Sequence, residues 1–200
     1  SIPKEGKSLI NILLSKTLSE MDLKILQIDA DLRKPQIHSR LGLNNLTGLS
    51  NLLTNSELKI SDVIQQTKFE RLNLISSNVD LSGLELETAG DSLRAFKLKD
   101  ELAPILNDSV APYDYVLIDC PPSLNLLTIM ALVASDSLVV PLQTEFFALE
   151  GLTQLIKTIE RIKSNLNPKL IIRGILLTMF DRRNKLSSEV ENEARNYFKD

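Results

Sequence analysis

Tryptophan is absent from the 200 residues, and aromatic residues together make up only 4%. Any core must therefore be aliphatic. A single cysteine, Cys120, excludes an internal disulfide framework and fits a reducing compartment. The one histidine, His38, lacks the sequence neighbours that a metal site needs, so local packing or capping is its expected role. No apolar run reaches the ~18 residues that a membrane-spanning helix requires. Basic charge is not in excess either. Twenty-three Lys and Arg against 26 Asp and Glu leave a net charge of −3 and a pI near 5.3. That balance speaks against bulk nucleic-acid binding and leaves room only for a local basic patch. No leader peptide is recognisable, no repeat or low-complexity tract occurs, and no interdomain linker stands out.

What is present is an ordinary globular balance, 43% hydrophobic and 24% charged, over a length that suits one domain with a real core. The first eight residues are the most telling. Ser1-Ile2-Pro3-Lys4-Glu5-Gly6-Lys7-Ser8 reads as a phosphate-binding loop of the G-x-x-x-x-G-K-[ST] type, with Ser1 in place of the first Gly. Gly6 lets the backbone approach a phosphate without a Cβ. The following helix adds its positive N-terminal end. Lys7 is placed to bridge the terminal phosphates, and the Ser8 hydroxyl is a candidate Mg²⁺ ligand. A phosphate loop ordinarily follows a buried strand, so the chain is expected to be cut at its N-terminus, and at its C-terminus as well.

Apolar spacing predicts a helix over 7–21 and a buried strand over Lys24–Asp29. Short helices are expected at 49–53 and 60–64, a strand at 72–76, and helices at 81–87 and 92–106 with Gly90 between them. A strand over 113–119 and a helix over 124–134 follow, then a strand over 137–142. A long helix over 146–166, a strand over 170–180 broken at Arg173-Gly174, and a charged helix over 187–198 complete the chain. Strands alternating with helices argue for an α/β fold with a mostly parallel sheet covered on both faces.

Two apolar runs end in acid. Ile28-Asp29-Ala30-Asp31 closes the first, and Leu117-Ile118-Asp119-Cys120-Pro121-Pro122 closes the second. The C-terminal edge of such a sheet is where ligands sit. A rigid strand can aim a carboxylate at a Mg²⁺–phosphate centre, and Pro121-Pro122 stops the second strand and stiffens the next loop. The plainer reading of Asp29 and Asp31 is a solvated turn, and that of Asp119 an ordinary strand-end turn. The phosphate loop upstream favours the functional reading.

From Leu72 to Phe198 the chain resembles the ParA family of chromosome- and plasmid-partition ATPases. The resemblance rests on YDYVLIDCPPSLNLL (113–127), VPLQTEFFALEGL (140–152) and GILLTMFDR (174–182). Residues 1–54, through Gly6-Lys7-Ser8 and IDADLRKPQIH (28–38), resemble bacterial tyrosine autokinases of capsule and exopolysaccharide export, which share the P-loop class. The two likenesses put a seam between Gly48 and Leu72. The signature Lys of ParA and MinD proteins, which reaches the partner's nucleotide, has no match in Ser1-Ile2-Pro3, with Lys4 nearby.

The resemblance implies a single P-loop ATPase domain over 1–200, in the cytoplasm, with ATP and Mg²⁺ as cofactors. Pro3, Lys4, Glu5, Gly6, Lys7 and Ser8 would hold the nucleotide. Ser8, Asp29 and Asp119 would hold Mg²⁺, directly or through water. Lys7 and Asp31 would be catalytic, Asp31 by orienting the attacking water. The implied partners are a second copy in an ATP-dependent dimer, non-specific DNA, and a ParB-like centromere-binding protein. Arg182, Arg183 and Lys185 are candidates for a DNA-facing patch, against the plainer reading of a solvated loop. Alternatives are a tyrosine-kinase module of polysaccharide export and a non-catalytic nucleotide-binding or interaction domain.

Overall fold

The computed structural model describes residues 6–78, 93–107, 112–145 and 148–197. Two compact units are present. One comprises residues 8–134; the other comprises residues 135–200 with the first seven.

The larger unit is built on a four-stranded sheet of order β2-β3-β1-β4, from β1 (Ile25–Asp29), β2 (Ile64–Gln66), β3 (Leu72–Ile75) and β4 (Tyr115–Asp119). β1 pairs in parallel with β3 and β4, and β2 closes the edge antiparallel to β3. Every residue of β1 is buried, as expected for a strand covered on both faces. Alternation splits its side chains. Leu26 and Ile28 enter a core with Ile75 of β3 and with α3 (Leu49–Thr54), α4 (Ile60–Val63), α5 (Lys97–Leu106) and α6 (Leu126–Ala134). Leu74 of β3 points the other way, toward Ile12 of α1 (Lys7–Glu20) and Ile37 and Leu41 of α2 (Ile37–Leu41). Full burial of each such aliphatic side chain contributes about 1.5–3 kcal/mol. One polar residue sits in mid-strand: Gln27 is fully buried, and its Nε2 donates to Asn11 Oδ1 on α1 at 2.8 Å.

Polar side chains fix the strand ends. Lys24 N donates to Asp114 Oδ2 at 2.7 Å, and Asp114 N returns a bond to Lys24 O at 2.9 Å. Asn73 Nδ2 donates to the Tyr113 hydroxyl at 2.7 Å, while the Lys24 ammonium lies 4.7 Å from the Tyr113 ring centroid. Tyr113-Asp114 thus lock β4 beside β1 and β3 at their N-terminal ends. After β4, Asn125 caps α6 by accepting from Thr128 N at 3.0 Å, so the helix starts two residues later than its apolar pattern suggests.

Gly48 precedes α3 with an extended backbone, so its need for glycine lies in packing. A Cβ there would stand 2.1 Å from the carbonyl oxygen of Ser76, the same oxygen that accepts from Leu49 N at 2.9 Å. Asn78 grips the same helix start, accepting from Ser50 N at 3.3 Å and from the Ser50 hydroxyl.

In the smaller unit β5 (Ser137–Gln143) and β6 (Ile171–Thr178) pair in parallel. α7 (Ala148–Asn165) buries Leu152, Ile156, Ile159 and Ile162, and α8 (Lys185–Tyr197) buries Val190 and Ala194. The expected break at Arg173-Gly174 is a register shift instead. Leu138 faces Ile172 and Val139 faces Gly174, so Arg173 is an extra residue and the strand continues through it.

Two elements were not expected. α2 is a five-residue helix inside the polar stretch after Pro35, and β2 is three residues where the helix of 60–64 was expected to end. The predicted helix over 81–87 and the stop at Gly90 lie outside the described residues. Within the expected helix of 92–106, an Arg94–Phe96 3₁₀ turn leads into α5. Among the described residues no helix is long and apolar enough to cross a membrane.

Candidate functional site

Gly6 adopts φ 81°, a left-handed conformation that favours glycine, and Lys7 opens α1 directly after it. This is the local geometry expected of a phosphate loop entering its helix. Ser8, the second residue of α1, is half-buried, and its hydroxyl makes no hydrogen bond among the described residues. Pro3, Lys4 and Glu5, expected at the nucleotide, lie outside the described residues, as does Ser1.

The two acid-ended strands come together. Asp29 and Asp119 are register partners on β1 and β4, and Ala30 N donates to Asp119 O at 2.9 Å, carrying the ladder one step past the strand ends. Both are buried, Asp29 to 1% exposure and Asp119 to 4%. Burial pushes the Asp29 carboxyl from its ordinary 3.8 up to about 7. The neighbouring Asp119 charge adds to that rise, while hydrogen bonds from the backbone N–H groups of Asp31, Ile37 and Gln36 oppose it.

Asp31 follows as a half-buried residue past the strand end. Its Oδ1 accepts from Arg33 N at 3.2 Å and Lys34 N at 3.1 Å, an Asx turn that orients the carboxylate. Its Oδ2 accepts no hydrogen bond among the described residues, which leaves it open to a water.

The larger unit therefore gathers Asp29, Asp31 and Asp119 at the C-terminal edge of its sheet. All candidate ion ligands are hard oxygens, the chemistry of Mg²⁺. Among the described residues no group of three or more His, Cys, Asp or Glu could hold a metal ion by itself. Mg²⁺ does not require one, because it keeps several waters and takes one or two carboxylates together with phosphate oxygens. The residues present fit that ion.

The AAA_31 family, described as an AAA domain, matches residues 5–172. The chain is 44% identical over 200 residues to the chromosome partitioning protein ParA of Caulobacter vibrioides, covering 98% of this chain and 73% of that protein. It belongs to the ParA/Soj family. To the chromosome-partitioning ATPase Soj of Treponema pallidum it is 39% identical over 196 residues, covering 98% and 75% of the two chains. Among solved structures it superposes on cobyrinic acid a,c-diamide synthase of Mycobacterium smegmatis with bound ADP and magnesium. The TM-score is 0.87 and the identity 29%, over 98% of this chain and 78% of that one. ParA and Soj proteins are ATPases on a P-loop fold. The family match and the ParA relative both extend across residues 48–72, so the ParA likeness takes in the first 54 residues as well as the rest.

Seen as a ParA/Soj chain, the sequence reading missed the backbone donors around Asp29. No residue type signals them: Asp31, Gln36 and Ile37 contribute main-chain N–H groups. Two of the basic candidates after β6, Arg183 and Lys185, are engaged with local acids. Arg183 donates to both carboxylate oxygens of Asp181, at 3.1 and 2.9 Å, and Lys185 lies 3.6 Å from Glu189. The mutual hydrogen bond lowers the Asp181 pKa and raises that of Arg183. Arg182 is exposed.

Proposed function

We propose that this protein binds ATP–Mg²⁺ and hydrolyses it as a dimerisation switch in chromosome or plasmid partition. The observation that carries the reading is the acid pair Asp29 and Asp119, in register at the ends of two parallel strands in a chain of the ParA/Soj family. Lys7 neutralises charge on the terminal phosphates. The Ser8 hydroxyl and the Asp119 carboxylate would hold the Mg²⁺, which would supply positive charge to offset the negative charge that develops on the phosphates. Asp31 holds a water through Oδ2 and takes its proton as the water oxygen bonds to the γ-phosphorus. The bond from that phosphorus to the β–γ bridging oxygen breaks, and ADP leaves with the bridging oxygen. The work is positioning and charge neutralisation, with no covalent intermediate.

In this reading ATP holds two copies together and hydrolysis releases them. The dimer binds DNA without sequence preference, and a ParB-like protein stimulates turnover. The test is DNA binding by the full protein with ATP, with ADP and without nucleotide, over a salt series. Binding only with ATP, falling steeply with salt, is the expected result. Equal binding with ADP and ATP overturns the gated switch. Phosphotyrosine on the protein after incubation with ATP would assign the chain to kinase chemistry instead.

A further inference from the structure

The Asp29 carboxylate is turned toward the loop that follows it. Oδ1 accepts from Asp31 N at 3.1 Å, and Oδ2 accepts from Gln36 N at 3.3 Å and Ile37 N at 3.2 Å. Those donors lie two, seven and eight residues ahead, so one side chain ties both ends of the segment 30–36. A carboxylate has about four lone-pair sites, and three are spent in this way. The helix α2 has no cap of its own, since Gln36 at its N-cap makes no side-chain capping bond. Asp29 supplies that cap from the end of β1. The segment is pinned further at Leu32, which is 2% exposed, and Ile37 just beyond it is fully buried. Within this ring sits Asp31, whose Oδ1 fastens the exposed turn at Arg33 and Lys34.

We infer that Asp29 is a positioning residue, which clamps the loop 30–36 so that the Asp31 carboxylate is held at the reacting water, and is not a direct ligand of the ion. The inference rests on the base role given to Asp31 under Proposed function. It divides the acid pair: Asp119 serves the ion, and Asp29 serves the loop. Asp29 touches neither the nucleotide nor the water, and its effect on turnover passes through Asp31.

The test is Asp29→Asn in the full protein. The amide group cannot accept at both ends of the loop, because its NH₂ meets either the Asp31 or the Gln36 and Ile37 donors. In the nucleotide-free protein at about pH 8, hydrogen exchange is expected to quicken by about 10-fold or more at whichever amides face the NH₂, Asp31 or the pair Gln36 and Ile37, in line with a lost charge-assisted hydrogen bond. Affinity for ATP–Mg²⁺ is expected to stay within about 3-fold of the parent, while single-turnover hydrolysis falls about as far as in Asp31→Ala. The double variant Asp29→Asn/Asp31→Ala is expected to be no slower than Asp31→Ala alone, as for residues acting as one unit. Asp29→Glu keeps the charge but shifts it by one methylene, and serves if Asp29→Asn does not fold; quickened exchange at 31 or at 36 and 37 is again expected. Unchanged exchange at these amides, with a 10-fold rise in the Mg²⁺ needed for nucleotide binding, makes Asp29 an ion ligand and overturns the proposal. Parental turnover in Asp31→Ala removes the base assignment and the proposal with it, whereas unchanged exchange in Asp29→Asn removes the proposal alone.

Discussion

Asp29 and Asp119 stand side by side as register partners on adjacent parallel strands, although ninety residues separate them in the chain. Each is the last residue of its strand, and each is buried. Two carboxylates so placed repel each other and lose hydration, a cost that a folded protein keeps where the charge serves a function.

Removing Asp31 is expected to separate binding from turnover. Asp31→Ala should bind ATP–Mg²⁺ within a few-fold of the parent and hydrolyse it about 10²-fold more slowly or worse, because a general base acts chiefly in the transition state. Lys7→Ala should weaken nucleotide binding itself, by about 10- to 100-fold for the loss of a charge-assisted hydrogen bond. Calorimetric titration and single-turnover rates on both variants check this. Parental turnover in Asp31→Ala would end its assignment as base.

The raised pKa of Asp29 makes the nucleotide-free protein more stable in mild acid. The folded state holds that proton up to about pH 7, while the unfolded chain releases it near 3.8. Between those values the folded state binds more protons, so stability falls as pH rises through the window and levels off above it. The full span corresponds to roughly 4 kcal/mol, at about 1.4 kcal/mol per pH unit. Urea denaturation at pH 5 and pH 7.5 should show the difference, and Asp29→Asn should flatten it. A parent protein that gains stability from pH 5 to pH 7.5 by way of Asp29 would contradict this.

Gly48→Ala should destabilise the larger unit by about 1–3 kcal/mol through overpacking. The added methyl meets the Ser76 carbonyl oxygen, a backbone atom that cannot swing aside, and endangers the Leu49 N–H bond to the same oxygen. Thermal or denaturant unfolding measures it; a neutral substitution would mean that the β3–α3 junction yields easily.

Tyr113→Phe removes the acceptor for Asn73 Nδ2 and keeps the ring under the Lys24 ammonium. A loss of about 1 kcal/mol is expected, with nucleotide affinity unchanged because the residue sits at the opposite end of β4 from Asp119. A variant that loses nucleotide affinity while keeping its stability would place Tyr113 in the site.

Much of the architecture was legible in sequence because burial leaves a local trace. Ile25-Leu26-Gln27-Ile28 and Tyr115-Val116-Leu117-Ile118 are mostly apolar runs ended by acid, and they became β1 and β4 with Asp29 and Asp119 at the strand ends. The spacing of Leu9 to Leu18 predicted α1, although its buried residue is Ser15 and Leu9, Leu13 and Leu14 are exposed, and Gly6 stands where the backbone takes its left-handed turn. By itself, then, the sequence determined an alternating α/β chain with a phosphate-loop motif and three acids at or just past the ends of apolar runs. Tertiary structure alone decided what those acids face. The register that sets Asp29 against Asp119 depends on pairing across ninety residues, and the same ladder places Gln27 beneath Asn11 of α1. The clamp on 30–36 uses main-chain N–H groups, which every residue but proline carries and no residue type announces. The short elements α2 and β2 were hidden for a like reason: with five and three residues they hold too few turns or alternations for a period, and they exist because Asp29 caps the one and β3 pairs with the other.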